Sequence, residues 1–370
     1  MKKYLRKAWI VCTVIITLCF ILSCFTSYIS PQAFPYTSLF AYAFPLLFVL
    51  TAGCGIISFF IQKRLSLFML LCLVLSYKNL VTSFAFNKPA AWRQQKDANT
   101  LRVMTWNVES FVDLSFQTNP KAKTRIAMLN LVHQYNPDII CIQEYKNVEN
   151  GKRRVAVRKQ LDSIGYKYKY ESEDVVIEMT GRRVTGGCAF FSKLPLLDSG
   201  KAPIRKEVLP ESLIYTDVLL NNKPIRIYTA HLASFSLASE ASAAELDEGI
   251  VLNNYPVEGN FIQKIRDREL EHTHEIDIIK NETVKTPSPF IYCGDLNTTP
   301  SSYNYHYLKD SMQDAFLEKG FGIGTTFYKL LPWLRIDVQF ADRKLEVRQC
   351  MVVKQKLSDH YPVVADYVWK

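Results

Sequence analysis

The stretch Phe290-Ile291-Tyr292-Cys293-Gly294-Asp295-Leu296-Asn297 carries an apolar run into a carboxylate and a carboxamide two residues apart. In an extended chain both side chains point to the same side. Pro300, Ser301 and Ser302 then supply a turn and a helix start, which leaves Asp295 and Asn297 at a strand's carboxyl end, where open α/β sheets build their sites. The competing reading of this stretch alone is an Asx-rich turn. The same residue types recur at other strand borders: Asn107 with Glu109 close behind, Gln143 with Glu144, His231, Asp337, and Asp359 with His360. In a core, Gln143 and Glu144 would be costly unless paired; at the mouth of a cation site they make sense. A lone strand-end histidine such as His231 is ordinarily a hydrogen-bonding residue, but its placement among the other polar strand ends favours a functional role.

The elements that must position these residues are short β-rich runs alternating with helical stretches from residue 101 onward, the pattern of an α/β domain. Residues 101–107 and 138–144 read as strands, and 121–135 as a helix with apolar Ile126, Leu129, Val132 and Tyr135 on one stripe. Residues 151–164 read as a basic amphipathic helix and 166–179 as one or two strands; 186–192 read as a buried strand entered by a glycine turn. Residues 213–220 and 224–231 form a hairpin around Asn221-Asn222, and 232–260 have the small, acidic composition of a loop insertion. Residues 261–280 read as a long charged helix; His272 and His274, two apart, do not share a face and are expected to be solvated. A short helix from Ser301, a loop with Gly320, Gly322 and Gly324, and a final strand after Pro362 complete the chain.

The front of the chain is different. Residues 9–30 follow a basic start and are long and apolar enough to cross a bilayer, as are 39–61 and 65–86, the last interrupted by Lys78 and Asn79. A signal peptide would begin similarly; the length of the first run and the two runs behind it argue for retained spans, three in number. Residues 1–86 are therefore expected to be a membrane region, 87–100 a linker and 101–370 a catalytic domain. Residues 1–98 hold 10 Lys+Arg against Asp97 alone, or +9 of the chain's +10, so the pI near 9 belongs to the flanks of apolar segments and not to a nucleic-acid surface. Basic residues at the amino end and at Lys63-Arg64 would both be cytoplasmic if the chain crosses three times, putting the catalytic domain on the extracytoplasmic side. The nine cysteines show no CxxC spacing and read as small buried hydrophobes.

Taken in order, Trp106-Asn107, Gln143-Glu144, Gly186-Gly187 with Phe191-Ser192, Thr229-Ala230-His231, Gly294-Asp295-Leu296-Asn297, Arg335-Ile336-Asp337 and Ser358-Asp359-His360 resemble the motifs of the endonuclease/exonuclease/phosphatase superfamily. The resemblance spans about residues 101–370 and none of the front. It implies a four-layer sandwich, two mixed β-sheets packed face to face with helices outside, and cleavage of phosphate esters with a divalent ion, Mg²⁺ or Mn²⁺. It also implies roles. Asn107 and Glu144, with Asp359, would hold the metal; Asp295 would orient or deprotonate the attacking water, and Asn297 would steady it or the phosphate. His360 would contact the phosphoryl oxygens with Asp337 as its partner, His231 would protonate the leaving oxygen, and Glu109 would be a further acid on the metal side.

The function expected on this basis is a membrane-anchored, metal-dependent phosphoric ester hydrolase of the phosphodiesterase or nuclease type. Its partners would be a phosphate ester (nucleic acid, nucleotide or phospholipid headgroup) and, through the front, the lipid bilayer. The alternatives are a phospholipid or inositol-phosphate enzyme on the same scaffold and an inactive tethered binding module. The complete set of polar strand ends speaks against the last.

Overall fold

The computed structural model describes residues 3–111, 121–149, 157–179, 182–206, 210–234 and 260–370. Four helices come first: α1 (Lys3–Phe25), α2 (Thr37–Ile61), α3 (Lys63–Leu75) and α4 (Tyr77–Ser83). The first two are each long and apolar enough to cross a membrane; α3 and α4 together pass the same test but are bent by 57°. The expected single third span is thus broken at Ser76, just before the polar Lys78-Asn79 pair that interrupts its apolar run. Lys78 turns to a neighbour, its ammonium 4.3 Å from the centre of the Tyr28 ring. At one end of this bundle Arg6 donates to the Ile61 carbonyl (3.3 Å). At the other end Thr82 and Ser83 meet Arg335 and Ser301 of the α/β part.

Numbering strands along the chain, one sheet runs β14 (Leu345–Val352), β15 (Val363–Trp369), β2 (Leu101–Asn107), β3 (Ile139–Glu149), β6 (Arg182–Ser192) and β4 (Tyr168–Glu171), with β5 (Val175–Met179) also on β6. The other runs β11 (Gln313–Asp314), β13 (Asp337–Ala341), β10 (Phe290–Asp295), β9 (Lys223–His231), β8 (Glu211–Leu220) and β7 (Ser199–Arg205). Pairs β2–β3 and β9–β10 are parallel and the rest antiparallel, so both sheets are mixed. A separate ribbon pairs β1 (Ala85–Phe86) with β12 (Phe321–Gly322) and ties the end of the apolar front to the α/β part.

Strand alternation builds the layers. Leu101 and Val103 of β2, Ile139 and Cys141 of β3, Ile225 and Ile227 of β9, and Ile291 and Cys293 of β10 fill the space between the sheets. Their even-numbered neighbours face the helices. Met104, Trp106, Ile140 and Ile142 pack with α5 (Lys121–Tyr135) and α6 (Val157–Ser163) on one side. Tyr228, Ala230, Tyr292, Val338 and Phe340 pack with α7 (Phe261–Val284) and α8 (Tyr303–Lys309) on the other. The result is the expected four-layer sandwich. Each of these large apolar side chains contributes about 1.5–3 kcal/mol by leaving water. Two buried glutamines join the sheets: Gln143 donates to Thr229 Oγ1 (2.7 Å), and Gln339 donates to the Val363 carbonyl (2.8 Å).

Period two also decides where the site lies. Asn107, Gln143, His231, Asp295 and Asp337 continue the inter-sheet positions of β2, β3, β9, β10 and β13, each at or near the end of the barrier of apolar residues. The polar strand ends therefore gather at one edge of the gap between the sheets.

Several sequence expectations are corrected in detail. The glycines of 186–192 lie inside β6 and not in a turn before it, with Gly187 at φ 135. Of 151–164, the described part is helical over Val157–Ser163, and residues 151–156 lie outside the described residues, as do 235–259 of the expected loop insertion. His272 is fully buried, not solvated, while His274 is exposed. Asn221 and Asn222 do form the hairpin turn, at φ 55 and 60, the left-handed pair that matches strand twist. Cys141, Cys188, Cys293 and Cys350 are free and buried, as their strand-like settings imply.

Candidate active site

Register places three functional groups in one row. Asp295 is paired with His231 across the parallel β9–β10 ladder and with Asp337 across the antiparallel β10–β13 ladder. The approach of β9 to β10 demands a residue without a side chain before Asp295: a Cβ on Gly294 would stand 2.4 Å from the Ala230 carbonyl oxygen. Opposite, in the other sheet, Asn107 at the end of β2 pairs in register with Gln143. Glu144 follows at φ 52, within a break in the β3–β6 ladder between Ile142 and Tyr145. Such a bulge re-aims a side chain, and here it brings the Glu144 carboxylate to the Asn107 amide (Nδ2–Oε1 3.0 Å).

Asp295 is the hub. Its Oδ2 accepts from Asn107 Nδ2 at 3.1 Å and lies 3.6 Å from His360 Nε2 and 3.9 Å from His231 Nε2, while Oδ1 accepts from the Asn297 backbone N–H at 2.9 Å. Asn297, in a left-handed turn (φ 47), aims its amide at the Leu232 carbonyl (2.9 Å) and at His231 Nε2 (3.3 Å). His360 Nδ1 meets Asp337 Oδ2 at 2.8 Å, and the Phe327 ring lies 4.9 Å from the imidazole. Trp106 Nε1 fixes the His360 carbonyl (3.0 Å). Asp359 is joined to the group through Ser358, whose hydroxyl donates to Asp359 Oδ1 (3.1 Å) or to the Asn107 carbonyl (2.8 Å).

The electrostatics follow from burial and crowding. Asp295 is fully buried, and its carboxyl is raised by loss of water and by the nearby Asp337, against the lowering pull of His360 and His231. Burial alone would lower His360; Asp337 and Asp295 outweigh it and hold the imidazole well above its usual range. His231 is likewise opposed by burial and carried up to about 9, chiefly by its hydrogen bond to Glu211 (3.2 Å). Glu109 is raised by burial and by Asp359, with Lys329 working in the other direction.

Every residue singled out from the sequence thus lies in or at the border of one cluster. Glu211 and Lys329 are additions. Lys329 bridges Glu109 (3.1 Å) and Asp359 (3.5 Å), and nothing local in the sequence marks it. Glu211 could have been found by counting outward from Asn221-Asn222, since the hairpin register carries His231 back beside the start of β8.

Oxygen donors suited to a hard cation border the site: Glu109 feels the charges of Asp359 and Glu144, and Glu144 meets the Asn107 amide, although these carboxylates are not as tightly grouped as Asp295, Asp337 and His360. Oε2 of Glu109 is buried and has no hydrogen-bond partner among the described residues. The Asn107 amide presents its NH₂ to Glu144 and Asp295, while its oxygen accepts from the Glu109 backbone N–H (3.1 Å). Asp295, Asp337 and His360 also lie close enough together to hold an ion. The short Asp337–His360 bond, however, already uses the atoms that face each other, and the trio is better described as an imidazole held charged by its acids.

Behind the site stands α7. Its Glu269 and His272 are both fully buried. His272 Nε2 meets the Ala233 carbonyl (2.6 Å) and Glu275 accepts from the Ala233 N–H (3.1 Å), bracing the turn after His231. Glu269 accepts from Thr298 (3.1 Å), bracing the turn after Asp295. Burial would raise the Glu269 carboxyl, but hydrogen bonds from His272 and its hydroxyl neighbours outweigh it and keep it below the usual range.

The endonuclease/exonuclease/phosphatase family profile matches residues 104–360, and a domain of unknown function, DUF8431, matches residues 6–83. No curated protein matches the chain. Among solved structures, an endonuclease/exonuclease/phosphatase from Beutenbergia cavernae aligns at 21% identity and TM-score 0.53, covering 73% of this chain and 72% of that one. A humanized D. rerio TDP2 aligns at 15% identity and TM-score 0.50 over 73% and 99%. The human nocturnin catalytic domain with bound sulfate anion aligns at 18% identity and TM-score 0.50 over 73% and 94%.

Proposed function

The chain belongs to the endonuclease/exonuclease/phosphatase family, and from that premise we propose that it is a membrane-anchored hydrolase of phosphate esters that works with a divalent cation, Mg²⁺ or Mn²⁺. The observation that carries this is the row His231–Asp295–Asp337 facing His360 and Glu144 across the gap between the sheets. Glu144 and Asn107, with Glu109 and Asp359 beside them, would hold the cation, which would neutralise phosphate charge and position the group. Asp295 takes a proton from the attacking water as the new P–O bond forms; a carboxyl raised by burial is a better base than one in water. His360, kept cationic by Asp337, stabilises the phosphoryl oxygens as negative charge grows on them. As the P–O bond to the leaving group breaks, His231 gives that oxygen a proton; with a pKa near 9 it is charged at neutral pH and can donate. Asn297, whose amide donates to the Leu232 carbonyl (2.9 Å), braces the backbone just past His231.

The substrate reading is a phosphodiester. The nocturnin domain's sulfate anion sits on a shared fold, which supports a tetrahedral oxyanion as the recognised group. An extracytoplasmic site is supported by charge: Arg6 meets the Ile61 carbonyl next to Lys63-Arg64, at the end of the bundle away from the α/β domain, and such a basic end favours the cytoplasm. The test is hydrolysis of bis-p-nitrophenyl phosphate by the full chain in detergent. Turnover that EDTA removes and Mg²⁺ or Mn²⁺ restores supports the assignment; turnover indifferent to EDTA, or none, removes it. A panel of DNA, RNA, nucleotides, inositol phosphates and phospholipid vesicles then ranks the natural esters.

A further inference from the structure

The turn that carries Asp295 and Asn297 is held from behind by the membrane helices. Tyr42, in the second turn of α2, sets its hydroxyl 2.6 Å from Glu269 Oε1 and 3.0 Å from the Asn297 carbonyl oxygen. The hydroxyl thus lies between a buried carboxylate of α7 and the backbone of a residue whose side chain faces His231, its single proton shared between the two acceptors. The other membrane segments reach the same turn: Thr26, just past α1, donates to the Ser301 carbonyl (2.6 Å), and Ser83 of α4 shares a hydrogen bond with the Ser301 hydroxyl (2.9 Å). Trp333 holds the partner surface, donating to the Tyr42 carbonyl at 2.9 Å.

A helix that only anchored a domain would need apolar packing or a flexible tether. It would not need a hydroxyl aimed at the one backbone carbonyl between the catalytic asparagine and Thr298, with the acid that braces Thr298 as its second partner. Asn297 stands in a left-handed turn (φ 47), which asparagine adopts more readily than other residues with a side chain, so the placement of its carbonyl depends on the groups that hold the turn. Tyr42 and Glu269 supply that constraint from opposite elements. We infer that Tyr42 is a positioning residue for the Asp295–Asn297 turn, so that the second membrane helix is a working part of the catalytic unit as well as its anchor. The inference rests on the function proposed above for that turn.

The experiment uses the full chain in nanodiscs, comparing wild type with Tyr42→Phe, which keeps the ring and its packing and removes only the hydroxyl. The expected result is a kcat lower by about tenfold with KM within about twofold, because the substrate-binding groups stay while the reacting ones shift. Hydrogen–deuterium exchange read over residues 295–301 is expected to quicken in the variant, and Glu269→Gln, which keeps the shape and removes the charge, is expected to quicken the same segment. Wild-type kcat together with unchanged exchange in Tyr42→Phe would overturn the inference. Because exchange is measured without substrate, a wild-type chain inactive on every ester would sink the functional reading while still leaving this coupling open to decision.

Discussion

At the scale of single residues, the site depends on charge held in unfavourable surroundings. His360 stays cationic because Asp337 and Asp295 outweigh its burial, so replacing it removes the group proposed to meet the phosphoryl oxygens. His360→Ala is expected to lower turnover by about 10²–10³-fold, and Glu144→Gln by at least as much, with circular dichroism and melting close to wild type. Near-normal turnover in either variant would remove its assigned role. His231 gives a pH prediction. Its folded pKa, about 9, exceeds the ordinary 6.5, so its contribution to stability is fully present below pH 6.5 and is lost as pH rises from there through 9. The melting temperature of the EDTA-treated protein should fall over that window, and Glu211→Gln should flatten the fall; a wild-type profile in that variant would assign the shift to another group. Which residue types gather at the candidate site was readable in the sequence, because amides, acids and imidazoles closing apolar runs stand out. The left-handed turns at Glu144 and Asn297 were not, since a one-residue bulge leaves no mark on hydrophobic periodicity.

At the scale of elements, alternation explains both what was legible and what was not. The strands ending at Asn107, His231 and Asp295 could be read because apolar odd positions, Leu101 and Val103, Ile225 and Ile227, Ile291 and Cys293, lead to a polar end, through a threonine in the first two. The role of α7 could not be read from His272 and His274, whose spacing argues for solvent; the informative spacing is Glu269, His272 and Glu275, three apart and so on one face. The register of β9 and β10 predicts that Gly294→Ala forces the strands apart at the site, and turnover should be lost well before the fold is, as measured by activity against melting temperature. Arg335 makes the opposite prediction. Buried with Asp314 at 2.5 Å and donating to the Thr82 carbonyl, it ties the domain to α4. Arg335→Leu leaves Asp314 without its charged partner in the interior and should cost about 3–5 kcal/mol in denaturant unfolding. A loss under about 1 kcal/mol would contradict this, the bond that Tyr305 already makes to Asp314 then being enough to hold the acid.

At the scale of the whole molecule, the division into a charged, apolar front and a near-neutral α/β remainder was plain from composition, but not how closely the two are joined. The ribbon of β1 with β12, the Arg335–Thr82 bond and the Tyr42 hydroxyl all cross that border. Side chains that pair far apart in sequence carry no local signature, which is why the border reads as a linker in the sequence and as an interface in the structure. If basic residues set orientation, a reporter active only outside the cytoplasm should be silent when fused after Gln62 and active when fused after Phe86; the reverse pattern would invert the proposed sidedness. The central claim is that Asp295 and its neighbours activate water against a phosphate ester. The measurement that meets it most directly is single-turnover hydrolysis of an activated phosphodiester by the Mg²⁺-loaded full chain, wild type against Asp295→Asn. A fall of about 10²–10⁴-fold in the variant with its melting temperature kept is predicted; a rate within a few-fold of wild type would contradict the account.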